Sequence, residues 1–120
     1  MSKPLILELM ERFDYSTEER VAGKWIDGKT LYKKTISTKT GTNEGSWSAL
    51  TSGLNADNII SYKGYIVENM TGQKSILPFS SEGTHIWFRC NNNELEEAHN
   101  SNYYNGSEIR IVIEYTKITD

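Results

Sequence analysis

Two histidines and the single cysteine are the side chains of this 120-residue sequence best suited to bind a transition metal. A structural zinc site takes four ligands, normally arranged as two closely spaced pairs along the chain. His85, Cys90 and His99 are too few and too irregularly spaced to match that pattern. The sequence therefore predicts neither a metal site nor a bound cofactor.

A group of glutamates is the other candidate for chemistry: Glu94, Glu96, Glu97 and Glu108. Two of them could form the carboxylate pair of a glycosidase, whose carboxyl groups lie about 5 to 9.5 Å apart across the sugar. A solvated acidic edge, which discourages sheets from aggregating, is the commoner use of such residues. No serine lies in a glycine elbow, and neither histidine has a recognisable catalytic context. We therefore expect a protein that is not an enzyme.

Three tryptophans and seven tyrosines make binding a stronger hypothesis than catalysis. Aromatic rings that also carry a polar group suit flat amphipathic ligands such as sugars. The receptor-binding candidates are Trp87 and three residues at a turn, where recognition residues are common: Tyr103, Tyr104 and Asn105. The same rings could instead close one end of the fold or form an oligomer interface. Trp25 is expected to anchor the core, because tryptophan is usually well buried.

The candidate Trp87 lies in a segment, residues 84 to 91, whose composition is typical of a β-strand. Side chains alternate between the two faces of a strand. This alternation places Cys90 with Phe88 and Ile86 on one face, and Trp87 with Arg89 and His85 on the other. We interpret Cys90 as a buried, inert thiol. As the only cysteine, it forms no intramolecular disulfide.

Two hairpins are predicted from turn residues. Asp27 and Gly28 separate two alternating apolar runs between residues 21 and 36, which indicates a type I′ turn with positive φ at both central residues. A run of asparagines, residues 91 to 93, tolerates the same left-handed backbone. Residues 94 to 100 are rich in helix-forming side chains, but their position after that run predicts the second arm of a hairpin.

Further strands are predicted at residues 58 to 67, 75 to 79 and 107 to 117, with a possible short strand at 47 to 50. Gly64 interrupts the first and suits a bulge or a close backbone approach. Pro78 makes the second an edge strand or an extended loop, because proline cannot donate to the hydrogen-bond ladder. About seven strands without βαβ alternation predict an all-β fold, an antiparallel sandwich resembling a jelly roll. It spans residues 15 to 120.

Residues 1 to 14 form a separate segment, interpreted as a connection or an oligomer contact. Apolar residues at helical spacing between positions 3 and 13 indicate a short helix or an extended connection. Such a short helix needs tertiary support. Glu8 and Glu11 interrupt the apolar run and no cleavage site follows, so we expect no secretory signal and synthesis in the cytoplasm.

The charge balance argues against nucleic-acid partners. Thirteen basic and sixteen acidic residues give a formal charge of -3, so counterion release would contribute little to binding DNA or RNA. No stretch approaches the roughly 18 apolar residues that cross a bilayer. We therefore expect neither nucleic-acid binding nor membrane insertion.

The segment from residue 15 to residue 36 also carries a run of motifs: Tyr-Ser-Thr-x-Glu, then Gly-x-Trp-Ile-Asp-Gly-Lys, then Tyr-x-Lys-Thr. This run resembles tail-tip and tail-fibre proteins of bacteriophages and prophages of gut bacteria. The ending EYTKITD is similar to the ending of the same proteins. Between these two ends the likeness is one of layout only.

The resemblance implies a virion structural protein that is made in the bacterial cytoplasm and assembled into the tail. Its implied partners are further copies of itself in a homotrimer, other tail proteins, and a glycan or protein receptor on the host surface. We therefore expect a role in host adsorption. A free-standing carbohydrate-binding module, monomeric and specific for one glycan, is the alternative. A small glycosidase or esterase is a third hypothesis, without a preferred catalytic residue.

Overall fold

The computed structural model describes residues 17 to 69, 71 to 77, 80 to 81 and 84 to 119. The predicted helix or connection at residues 1 to 14 lies outside the described residues.

Nine strands and one short 3₁₀ helix make up the described chain. The strands are β1 Arg20–Lys24, β2 Thr30–Lys39, β3 Ser48–Ala49, β4 Ala56–Val67, β5 Lys74–Leu77, β6 Ser80–Ser81, β7 Thr84–Asn91, β8 Glu94–His99 and β9 Glu108–Lys117. The 3₁₀ helix covers Asn102–Tyr104, between β8 and β9.

The strands form two antiparallel sheets, so the prediction of an all-β sandwich is confirmed. The larger sheet has the order β1-β2-β9-β4-β5, and the smaller has the order β3-β8-β7-β6. The short strand β3 lies within the possible strand predicted at residues 47 to 50, and the two-residue strand β6 was not predicted. β4 is an interior strand of the larger sheet, and β5 is an edge strand, as predicted for residues 75 to 79.

The core lies between the sheets and is built around β9. The alternating side chains of this strand, Ile109, Ile111, Ile113 and Tyr115, have no exposed surface. The smaller sheet contributes Leu95 and Ile86 to the same cluster, with Phe88 packed against it. Tyr62 of β4 meets Phe88 of β7 at a ring-centroid distance of 4.6 Å, which joins the two sheets directly. Alternation along a half-buried strand explains this arrangement.

The first hairpin forms where it was predicted but with a different turn. β1 pairs with β2 through Lys24 and Thr30. The turn is closed by the Gly28 amide, which donates to the Trp25 carbonyl at 3.0 Å. Gly28 has φ +89°, whereas Asp27 is not among the residues with positive φ. The Trp25 amide also donates to the Lys29 carbonyl at 2.9 Å, which leaves a loop of three residues between them. This loop, with one left-handed glycine, replaces the predicted type I′ turn.

Trp25 does not anchor the core, contrary to expectation. It is half-buried at the hairpin loop and is not part of the core cluster. Most of β1 is exposed, because this strand is the outer edge of the larger sheet. Whether an aromatic residue is buried depends on where its segment lies in the sheet. The residue type alone does not determine that position.

The second hairpin forms at the asparagine run, as predicted. Asn92 and Asn93 have φ +52° and +65°, as a two-residue type I′ turn requires. β7 and β8 then pair in register from Asn91 and Glu94 to Ile86 and His99. Residues 94 to 99 are therefore a strand, and the turn overrides their helical composition.

Gly64 lies where β4 and β9 approach each other most closely. Its φ is +153°, and a Cβ atom at this position would lie 2.1 Å from the carbonyl oxygen of Arg110. No side chain fits there without moving the backbone of β9. The predicted close backbone approach is therefore confirmed.

We predict that Gly64→Ala lowers the free energy of unfolding by more than about 3 kcal/mol, since it adds a backbone clash to the cost of a strained φ. Gly53→Ala is the matched control, because φ there is +76° but no atom lies within 4 Å of the added Cβ. It should cost only about 1 to 2 kcal/mol. Urea denaturation of both variants measures the difference, and equal losses would show that the close approach adds no cost.

Candidate functional site

The outer face of the smaller sheet carries a row of exposed and half-buried aromatic and charged side chains, which we call the aromatic strip. It consists of Trp47, His85, Trp87, Arg89 and Glu96. Alternation along β7 places the three central residues on the outer face, opposite Ile86, as predicted. Glu96 pairs with Arg89 across the β7–β8 ladder, and Trp47 directly precedes β3.

Arg89 is held between two other members of the strip. Its guanidinium carbon lies 4.1 Å from the centroid of the Trp47 ring, and its Nε donates to Glu96 Oε1 at 2.8 Å. A cation over an indole face is attracted to the ring electrons. These two contacts fix the orientation of both the guanidinium and the Trp47 ring, although the Arg89 side chain remains 43% exposed.

Trp87 presents the largest exposed ring of the strip. It is 44% exposed and pairs across the ladder with Ala98, whose side chain is small. The His85 ring lies 5.6 Å away and flanks the indole. A flat apolar surface therefore lies beside hydrogen-bonding groups. Such a surface can bind the apolar face of a sugar while its polar neighbours bind hydroxyl groups.

The turn residues predicted to bind the receptor do not act together. Tyr103 is 47% exposed, but Tyr104 is only 3% exposed and belongs to the core cluster. The two successive residues of the 3₁₀ helix point in different directions, because this helix turns by a third of a circle per residue. Tyr104 is therefore not available as a surface contact, contrary to its prediction as a receptor-binding residue.

Asn105 belongs to a polar network that was not identified from the sequence and that runs from the buried Glu97 and His99 to the exposed Glu44. Its Oδ1 lies 2.7 Å from His99 Nε2, and its Nδ2 donates to Glu44 Oε2 at 3.2 Å. On the other side of the imidazole, His99 Nδ1 lies 2.6 Å from Glu97 Oε2. Glu97 and His99 have no exposed side-chain surface. Glu97 is thus not part of a solvated acidic edge. Alternation from the buried Leu95 would have placed both side chains inward.

The hydrogen bonds of this network favour a protonated His99. Burial lowers the pKa of His99, but the hydrogen bonds to Glu97 and Asn105 and the nearby charges of Glu97 and Glu44 outweigh it and raise the pKa overall. Both ring nitrogens face oxygen atoms, and an imidazolium can donate from both. The pKa of Glu44 is lowered, first by a backbone hydrogen bond and then by Asn105.

The network connects three parts of the chain. Within the described residues, the two His99 nitrogens bond to Glu97 and Asn105 and to no hydroxyl. The Gly45 amide donates to the His99 carbonyl at 2.8 Å, and the Gly41 amide donates to Glu97 Oε1 at 3.3 Å. These bonds hold the loop after β2 and the turn before β9 against β8.

Cys90 is half-buried against the core. Burial, followed by the charges of Asp57, Glu94 and Glu96, raises the pKa of its thiol. Less of the thiol is therefore present as the reactive thiolate. Within the part of the chain that the structure describes, no group of three or more His, Cys, Asp or Glu side chains could hold a metal ion.

No helix among the described residues is long and apolar enough to cross a membrane. Comparison with known protein families, curated proteins and solved structures finds no match to this chain. The resemblance to phage tail proteins therefore depends on the motifs at residues 15 to 36 and at the C-terminus.

We predict that Tyr104→Ala destabilises the fold by about 3 to 5 kcal/mol, the usual cost of removing a large buried aromatic ring. Tyr103→Ala should cost less than about 1 kcal/mol, because that side chain is largely exposed. Urea denaturation compares the two neighbours directly. Similar losses for both variants would contradict the burial assigned to Tyr104.

We also predict that His99 stabilises the fold in a pH-dependent way. Its pKa in the folded state is raised above the ordinary value of 6.5, so the folded state binds the proton more tightly than the unfolded state. The resulting stabilisation is complete below pH 6.5 and is lost as the pH rises through the folded pKa. Urea denaturation across this range should show the loss, whereas His99→Gln should lack it.

An NMR titration of the His99 ring in the unmodified protein provides a second measurement if His99→Gln does not fold. The ring signal should titrate above 6.5. A value below 6.5 would show that burial outweighs the hydrogen bonds to Glu97 and Asn105.

Proposed function

We propose that this chain is a non-enzymatic tail-tip or tail-fibre protein of a bacteriophage or prophage, and that it contributes to host adsorption by binding a cell-surface receptor. The motifs at residues 15 to 36 and the C-terminal EYTKITD support the phage assignment. By this resemblance, the protein is a homotrimeric structural component of the virion, made in the bacterial cytoplasm and in contact with other tail proteins.

The aromatic strip is the observation that favours a binding role. Trp87 and Trp47 are 44% and 38% exposed on one sheet face, and Arg89 lies between the Trp47 ring and Glu96. Exposed indole rings beside oriented donors and acceptors match the requirements of a polyhydroxylated ligand. A surface glycan is therefore the receptor class that the strip suits best.

In this proposal the affinity comes from several copies of one weak binding surface. One shallow strip makes few contacts, so a single chain would bind a glycan weakly. Three copies that engage a repetitive polysaccharide would raise the avidity by increasing the effective concentration of each further site. Oligomerisation and receptor binding would thus support each other.

The alternative is a free-standing carbohydrate-binding module. It is favoured by the fact that all members of the aromatic strip come from a single chain. The same glycan surface would then act in a monomer. The solution mass separates the two proposals, because a stable trimer fits the tail-tip role and a monomer fits the module.

We predict that Trp87→Ala weakens glycan binding at least about tenfold, equivalent to about 1.4 kcal/mol, because it removes the largest exposed ring of the strip. Binding of the purified chain to an array of bacterial surface polysaccharides provides the measurement. Trp25→Ala is the matched control, since it removes an indole from the hairpin loop of the other sheet.

Thermal unfolding should first show that both variants are folded. Unchanged glycan binding by a folded Trp87→Ala variant would remove the strip from the proposal. A loss in both variants would indicate a general effect of removing an indole.

A further inference from the structure

The loop after β2, residues 41 to 47, carries Trp47 to the aromatic strip. The two ends of the loop lie against each other, because a Cβ atom on Gly41 would lie 2.1 Å from the Ser48 side-chain oxygen. Ser48 begins β3, which pairs with β8. The Trp47 ring lies against the Arg89 guanidinium. The place of Trp47 in the strip therefore depends on how this loop is held.

Among the described residues, three hydrogen bonds join the loop to the polar network around His99. Two come from backbone amides of the loop, which donate to the His99 carbonyl and to the Glu97 carboxylate. The third joins two side chains, since Asn105 Nδ2 donates to Glu44 Oε2 at 3.2 Å. This third bond exists only in one orientation of the Asn105 amide.

The surroundings of the His99 imidazole favour its charged form. Among the described residues, the charges that act on the ring are those of Glu97 on β8 and Glu44 on the loop. The Tyr104 ring of the 3₁₀ helix lies 6.5 Å away. An imidazolium donates from both nitrogens, here to Glu97 Oε2 and Asn105 Oδ1. The charged ring thus leaves Asn105 Nδ2 free to donate to Glu44.

Loss of the proton leaves the His99 ring with one donor and one acceptor. The remaining proton lies on Nδ1, because this nitrogen faces the Glu97 carboxylate at 2.6 Å. Nε2 then becomes an acceptor and faces Asn105 Oδ1, which is an acceptor as well. A half-turn of the Asn105 amide about its Cβ–Cγ bond exchanges Oδ1 with Nδ2. Nδ2 can then donate to His99 Nε2.

The half-turn moves the mismatch from His99 to Glu44. After it, Asn105 Oδ1 faces the Glu44 carboxylate, so two acceptors meet and the bond to the loop is lost. The mismatch costs less at this position, because the His99 side chain has no exposed surface whereas Glu44 is exposed and can bind water. The loop keeps its two backbone bonds and loses the one made by a side chain.

We propose that the Asn105 amide turns over when His99 loses its proton, and that this releases Glu44 and loosens the loop that carries Trp47. His99, Asn105 and Glu44 are then positioning residues, since they act on the aromatic strip through Trp47. Glycan binding at the strip would be tighter at low pH than after His99 is deprotonated. This last step rests on the proposed function, whereas the turnover and the loosening do not.

An NMR titration of the full chain tests the turnover. The side-chain amide signals of Asn105 should shift along the same pH curve as the His99 ring signals. The Asn105 amide protons should also lose their contact with Glu44 and gain one with the ring. Asn105 signals that do not change while the ring titrates would overturn the proposal. A ring that keeps its proton at every pH at which the chain is folded would overturn it too.

Glu44→Gln tests the loosening of the loop. A glutamine amide can accept from Asn105 before the half-turn and donate to it afterwards, so the loop should stay attached in both states. In the unmodified chain, deprotonation of His99 should lower the protection of the Gly45 amide against hydrogen exchange at least about threefold, after correction for the intrinsic effect of pH. In Glu44→Gln this protection should stay constant.

Glu108→Gln is the matched control, because it makes the same change in charge at an exposed carboxylate outside the network. It should behave like the unmodified chain. Thermal unfolding should first show that both variants are folded. An equal fall in Gly45 protection in Glu44→Gln and in the unmodified chain would overturn the proposal.

Glycan binding separates this inference from the proposed function. The affinity of the unmodified chain should fall on deprotonation of His99 at least about threefold more than that of Glu44→Gln. His85 is an ionisable member of the strip, so the difference between the two chains is the measure. Equal pH dependence would overturn the coupling to the strip. If neither chain binds a glycan at any pH, the proposed function fails, while the Asn105 and Gly45 signals still decide the turnover and the loosening.

Discussion

The packing of β9 against the smaller sheet is the interaction on which the rest of the structure depends. β9 lies between β2 and β4, and its four inward side chains, from Ile109 to Tyr115, are completely buried. Burial of large apolar side chains is the main favourable term in folding. Because this single strand supplies the centre of the core, its neighbours must bring Ile36, Ile66 and the opposite sheet onto the same face. Gly64 permits the close contact with β4 that this arrangement requires.

A polar network holds the loop after β2 and the turn before β9 against β8. Glu97 and His99 point inward from β8 and have no exposed side-chain surface. Buried charges are tolerated when they are paired and hydrogen-bonded, and here the imidazole lies between a carboxylate and the Asn105 amide. The network fixes two loops on one strand, which an apolar cluster would not orient as specifically.

Both outer faces of the sandwich carry exposed large apolar side chains, including Trp87 on the smaller sheet and Ile76 on the larger. The smaller sheet presents the aromatic strip, in which the rigid ladder between β7 and β8 sets the spacing of Trp87, Arg89 and Glu96. The larger sheet presents a groove lined by side chains from β2, β9, β4 and β5. A binding surface on paired strands is positioned more accurately than one on a loop.

The sequence by itself determined the features that depend on near neighbours. The all-β class, the left-handed turn at Asn92 and Asn93, and the face that Trp87 shares with Arg89 follow from turn chemistry and alternation, which act over a few residues. The close approach at Gly64 was indicated in the same way. The site was predicted only in part, since Trp87 lies in the aromatic strip but its partner Trp47 was not singled out.

Only the tertiary structure decided which side chains meet and which are buried. It placed Tyr104 in the core and Tyr103 at the surface, left Trp25 at an exposed edge, and brought Glu44 and Asn105 together on His99. It also placed Trp47 under the Arg89 guanidinium. These outcomes depend on strand order and on how the two sheets stack. Both are set by contacts between residues far apart in the chain, and alternation within a single strand carries no information about them.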